Sequence, residues 1–158
     1  MKILFCCQYA KIHDYVCDLS RHITDHDSSV IDLPGIEKSH KGVKHDGDMP
    51  WHDLWQIAHL IESGRCVRRG AFYLRRYWHW LPVSALRASV VQFRAYSAVL
   101  REKSPQAVCV WGGKSRASLL ALAARAQQIT VVYLEHGVLP FTTAVDLHGI
   151  NADNSLSR

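Results

Sequence analysis

Residues 107–134, AVCVWGGKSRASLLALAARAQQITVVYL, decide the fold. Ala107–Trp111 is a short apolar run of strand type, and Gly112-Gly113 turns the chain. Ser115–Gln127 is rich in Ala and Leu, residues of high helix propensity. Ile129–Leu134 is rich in β-branched residues and reads as a second strand. A strand, glycine turn, helix and strand in that order predict a parallel strand pair joined by a right-handed crossover.

The N-terminal part repeats the logic. Lys2–Cys6, KILFC, reads as a first buried strand. Ile12, Val16, Leu19 and Ile23 fall at helical spacing, which predicts an amphipathic helix over 10–23. Val30–Leu33 is a second strand, stopped by Pro34-Gly35. Residues 34–50 are polar and aperiodic and read as a long loop. Trp51, Leu54, Trp55, Ala58 and Ile61 predict a helix that Gly64 ends. Residues 65–82 form an aromatic and basic block closed by Pro82. Ser84 caps a helix running to Lys103, with Leu86, Val90, Phe93 and Leu100 on one face. The expectation is one α/β domain over 1–158, a Rossmann-like parallel sheet with flanking helices and a helical insert at about 51–103.

Composition narrows the function classes. Apolar types make up 48% and charged types 21%, as in ordinary globular proteins. The net charge of +5 favours anionic partners such as nucleic acid, nucleotide sugars or a lipid surface. No apolar run is long enough for a membrane span. The N-terminus lacks the apolar region and cleavage site of a secretory signal, so a cytoplasmic location is expected. The five cysteines form no Cys-x-x-Cys pair and read as free thiols, several of them buried.

Three constellations could carry chemistry. In the first, Gly112, Gly113 and Lys114 precede a helix N-terminus, where backbone N–H groups suit an anion. A nucleotide-triphosphate loop would need glycine at 108, which is Val, so an anion or substrate contact and a plain tight turn stay open. In the second, Glu135 stands where strand 129–134 ends, and ligands of open α/β sheets gather at carboxyl ends of strands. Gly137 allows a sharp turn or a close approach. Asp146 supplies a second carboxylate, and paired carboxylates are the usual means of sugar-transfer chemistry. Helix capping by Glu135 and a turn at Asp146 are the plain alternatives. His136 and His148 could shuttle protons or touch phosphate, or be surface histidines. In the third, Arg87, Arg94 and Arg101 are seven apart and share a helix face. That face suits an anionic membrane surface or nucleic acid, or is simply solvated. Cys17, His22 and His26 have a spacing zinc could use, but lack a fourth ligand, so no metal is expected.

The second constellation continues as Glu135, Gly137, Leu139, Pro140, Asp146, Gly149, Ile150, Asn151, Asn154, Ser155, Leu156 and Arg158. This pattern resembles the bacterial capsule polysaccharide biosynthesis proteins of the Kps type, β-Kdo glycosyltransferases that start or extend a Kdo linker on a phospholipid. The segment 107–127 occupies the place expected before that motif, whereas the first hundred residues agree in architecture alone. Ser157 departs from the proline common before the final arginine. The resemblance implies a retaining transferase of two-domain GT-B architecture that uses CMP-Kdo and needs no cofactor or metal. It implies Asp146 as nucleophile and Glu135 as acid/base or substrate ligand, with Asn151 and Ser155 as sugar or turn contacts. It implies a phospholipid-linked acceptor and a place at the anionic inner-membrane surface, which makes nucleic acid the less favoured partner. Family members continue for a comparable length, with a C-terminal half that holds most of the nucleotide. The expectation is therefore an N-terminal half, inactive alone, that works with a separate C-terminal half. The alternative is a non-catalytic α/β module that binds anionic lipid or nucleic acid.

Overall fold

The computed structural model of the chain describes residues 1–8, 10–39, 49–68, 83–112, 116–137 and 142–148. Among these, five strands form one sheet in the order β2-β1-β3-β4-β5. They are β1 (Lys2–Cys7), β2 (Asp27–Asp32), β3 (Ala107–Trp111), β4 (Thr130–His136) and β5 (Thr143–Asp146). The pairs β1–β2, β1–β3 and β3–β4 are parallel, and β5 runs antiparallel along β4. The helices are α1 (Ala10–His22), α2 (Leu33–Ser39), α3 (Trp51–Arg68), α4 (Val83–Lys103) and α5 (Arg116–Ala126). The chain is thus an α/β protein with a mostly parallel sheet and flanking helices, an arrangement compatible with a Rossmann-like fold.

Strand alternation divides the core in two. Leu4, Cys6, Val108, Val110, Val131 and Tyr133 face α2, α3, α4 and α5. Ile3, Phe5, Cys109, Trp111 and Leu134 face Val16 of α1. Continuous apolar runs in β1 and β3 are what burial on both faces demands. Ser89 and Ser97 of α4 are buried, and Ser89 donates its hydroxyl to the Ala85 carbonyl at 2.8 Å. Small residues there let α4 lie close to its neighbours.

The structure corrects several expectations. Pro34-Gly35 does not open a loop; it lies in the first turn of α2. Asp32 caps that helix, accepting the Gly35 N–H at Oδ2 over 3.0 Å, and proline is tolerated in a first turn. Gly64 does not end α3, which continues to Arg68; a single interior glycine costs only about 1 kcal/mol. Trp51 is 58% exposed, so it lies outside the apolar stripe that Leu54 and Ala58 form. Ser84 falls inside the first turn of α4, which starts at Val83. β2 begins at Asp27, its polar start drawn into the sheet by pairing with Lys2–Leu4. β4 runs two residues past Leu134, because β5 supplies partners for Glu135 and His136. Residues 40–48 of the expected loop and 69–82 of the aromatic block lie outside the described residues. None of the described helices is long and apolar enough to cross a membrane.

Candidate functional site at the carboxyl ends of the strands

The strand order itself locates a crevice. After β1 the chain turns to the face covered by α1; after β3 it turns to the face covered by α5. Neighbouring parallel strands whose connections leave on opposite sides open a gap at their carboxyl ends, the usual ligand position in such sheets. Gln8 follows β1 at this gap. Its buried side chain donates from Nε2 to the Trp111 carbonyl at 3.1 Å, bridging the ends of β1 and β3. Gly112 adopts a left-handed φ of 72°, a conformation that favours glycine. Its N–H donates to the Leu134 carbonyl at 2.8 Å and continues the ladder. Gly112 therefore contributes a turn rather than a free anion donor. Gly113 and Lys114 lie outside the described residues.

On the α1 side, the strand ends carry an aromatic corner. The Trp111 ring meets Tyr15 edge-on at 5.4 Å and His136 edge-on at 5.0 Å between centroids. The Tyr15 hydroxyl is 2.6 Å from Thr143 Oγ1, which ties α1 to the start of β5. Gly137 N–H donates to the Thr142 carbonyl at 2.8 Å. A Cβ at Gly137 would collide with the Thr142 side chain and lie 3.0 Å from its carbonyl carbon. The close approach foreseen at Gly137 is thus made by the chain itself, where the two strands meet.

Glu135 and Asp146 come together on the opposite face. Tyr133 is paired with Asp146 and Glu135 with Ala144, so these four residues share one side of the β4–β5 ladder. Glu135 and Asp146 are diagonal neighbours across it, about 7–8 Å apart at Cα by the geometry of such pairs. Their surroundings differ. Glu135 is half-buried near the carboxyl end of β4. Asp146 sits two positions further from that end, with its side chain 13% exposed. Its Oδ1 accepts the His148 N–H at 2.6 Å and lies 3.8 Å from the His148 imidazole. Arg125, at the end of α5, donates to the His148 carbonyl at 3.3 Å and covers the Tyr133 ring at 5.7 Å. The turn after β5 is thereby pinned to α5.

The remaining candidates are dispersed. Leu139, Pro140, Gly149, Ile150, Asn151, Asn154, Ser155, Leu156 and Arg158 lie outside the described residues. Arg87 and Arg101 are exposed on α4, and Arg94 between them is half-buried, with no hydrogen-bond partner at Nε. Cys17 Sγ lies 3.6 Å from His13 Nδ1, whereas His22 Nδ1 is 2.7 Å from the Asp18 carbonyl. Cys17, His22 and His26 thus form no common site, and no group of three metal-ligating side chains gathers among the described residues. Burial drives the Cys6 thiol well above its ordinary range, with help from the nearby Cys109 and Cys7. Burial also pushes Cys109 up to about 11. Both remain protonated at neutral pH and are poor nucleophiles.

Sequence reasoning missed Gln8, Tyr15, Trp111 and Thr143 as neighbours of the crevice. The polar Gln8 directly after a buried strand was the one local signal; the other three converge through α1 and β5, whose placement is tertiary. In comparisons with protein-family models, curated proteins and solved structures, the chain matches none.

Proposed function

We propose that this chain is a Rossmann-like domain of a GT-B transferase of capsule assembly, moving Kdo from CMP-Kdo to a lipid-linked acceptor. The observation that carries the reading is the β4–β5 register, which sets Glu135 and Asp146 on one face of the sheet, Glu135 near its carboxyl edge and Asp146 two positions further in. The motif running from Glu135 through Asp146 to Arg158 supplies the family expectation.

In a retaining transfer, one carboxylate attacks the anomeric carbon as the bond to the cytidylate phosphate breaks, forming a glycosyl ester. The acceptor hydroxyl then displaces that carboxylate, and its proton passes to the second acid/base group. Asp146 is assigned the first role and Glu135 the second. His136 and Gly137 stand at the same strand end as Glu135, with the His136 ring on the Trp111 side of the sheet.

A titration of the chain with a Kdo-terminated phosphatidylglycerol glycolipid in micelles, followed by tryptophan fluorescence, tests the acceptor side. Saturable binding that exceeds binding to sugar-free micelles, weakened in Glu135→Gln, is expected. Equal affinity for both micelles overturns the reading. Product analysis with the Kdo-terminated glycolipid and CMP-Kdo or other nucleotide sugars tests the donor. Glu135→Gln and Asp146→Asn should each abolish transfer.

A further inference from the structure

We propose that His13 and Cys17, one helical turn apart on α1, chelate a zinc-class metal ion. This inference stands apart from the sugar-transfer reading, because it concerns a different surface and needs no sugar. Residues four apart on a helix project from one side, and paired ligands at this spacing are a recurrent way of holding zinc. Val16 is buried against the sheet, with Ile12, Leu19 and Ile23 packed around it. His13 is exposed and Cys17 half-buried, so the pair stands beside that apolar stripe and within reach of solvent. Among the described cysteines, Cys6, Cys7 and Cys109 are buried in strands, and Cys17 alone has this access.

Distance and charge both favour chelation. Cys17 Sγ lies 3.6 Å from His13 Nδ1 and 3.8 Å from Nε2. A tetrahedral zinc ion, with Zn–S of about 2.3 Å and Zn–N of about 2.0–2.1 Å, holds its sulfur and nitrogen ligands about 3.6 Å apart. The helix therefore presents the two donors close to the separation the ion requires. Asp14 Oδ1 is 3.7 Å from His13 Nδ1. A carboxylate beside one ring nitrogen orients the imidazole and leaves the other, Nε2, to the metal. The Arg21 guanidinium is bound to Asp18 at 2.9 Å, and the Asp14 carboxylate favours a cation beside the pair. Thiolate and imidazole select zinc over magnesium or calcium, which take oxygen ligands. On binding, the thiol proton passes to solvent, the sulfur bonds to the ion as thiolate, and water fills the remaining positions.

The test is titration of the full chain with cobalt(II), a spectroscopic substitute for zinc, in the presence of a phosphine reductant. A saturable thiolate-to-cobalt charge-transfer band that zinc abolishes by displacement is expected. Cys17→Ser should remove the band, and His13→Ala should weaken cobalt binding at least about tenfold, both without altering the circular dichroism. Cys66→Ser and His22→Ala should bind cobalt like the parent. Absence of the band in the parent, its survival in Cys17→Ser, its loss in Cys66→Ser, or unchanged affinity in His13→Ala would each overturn the inference.

Discussion

The two faces of the sheet are covered unequally. One is packed under α2, α3, α4 and α5, with Leu54, Tyr96 and Leu119 fully buried. The other, among the described residues, is covered by α1 alone, and toward β5 it stays open: Val145 is 64% and Leu147 61% exposed. The crowded face supplies stability, whereas the thinly covered face holds the aromatic corner beside the crevice. Glu135 and Asp146 lie on the crowded side of the sheet, with Tyr133, and the difference between the faces can be measured.

The largest expected contrast comes from truncating one residue on each. Tyr96→Ala, on the crowded face, should cost about 4 kcal/mol in urea unfolding, from lost burial and the cavity left behind. Val145→Ala, on the open face, should cost under about 0.5 kcal/mol. Comparable losses would mean that β5 is more deeply packed than its exposure indicates. Next comes the point where β4 meets β5. Gly137→Ala forces Thr142 and its backbone to move and should cost about 2 kcal/mol, with part regained in Gly137→Ala/Thr142→Gly.

Alkaline pH compares the faces through their thiols, since Cys6 packs on the crowded side and Cys109 on the α1 side. Folding raises both values, so the unfolded chain loses its thiol protons first as pH rises. The stabilisation is complete below about pH 9 and declines above it. For Cys109, raised from 9.0 to about 11, the loss at pH 10 is about 1 kcal/mol. Chemical denaturation of Cys109→Val beside the parent at pH 8 and pH 10 should show the variant losing less.

Smaller effects sharpen the account of Asp146. Asp146→Ala removes the acceptor for the His148 N–H and should cost about 1 kcal/mol. Asp146→Asn keeps an acceptor oxygen and should stay within about 0.5 kcal/mol of the parent, so any loss of transfer in that variant is chemical rather than structural. The smallest is a gain. Gln128 ends α5 at a φ of 58°, and Gln128→Gly should raise stability by about 0.5 kcal/mol.

The parallel core was legible because β1, β3 and β4 are short apolar runs separated by helical periodicity or by glycine. α2 was hidden by Pro34-Gly35, a pair that reads as a break unless Asp32 is seen as the cap. β5 was hidden for a different reason. TAVD has no buried face of its own and becomes a strand only by pairing with Tyr133–His136. Glu135 and Asp146 could be named from residue type and motif. That they share a face depends on a hairpin register that no local pattern encodes.

By itself, the amino-acid sequence determined the α/β class, the parallel pairing of its apolar strands and the identity of the candidate carboxylates, because periodicity and residue chemistry are local properties. Tertiary structure alone decided that Gln8 bridges β1 to β3, that Tyr15 and His136 converge on Trp111, and that Asp146 is held at a turn pinned by Arg125. Those relations join residues far apart in the chain, and they exist only once packing has brought the strands and helices into register.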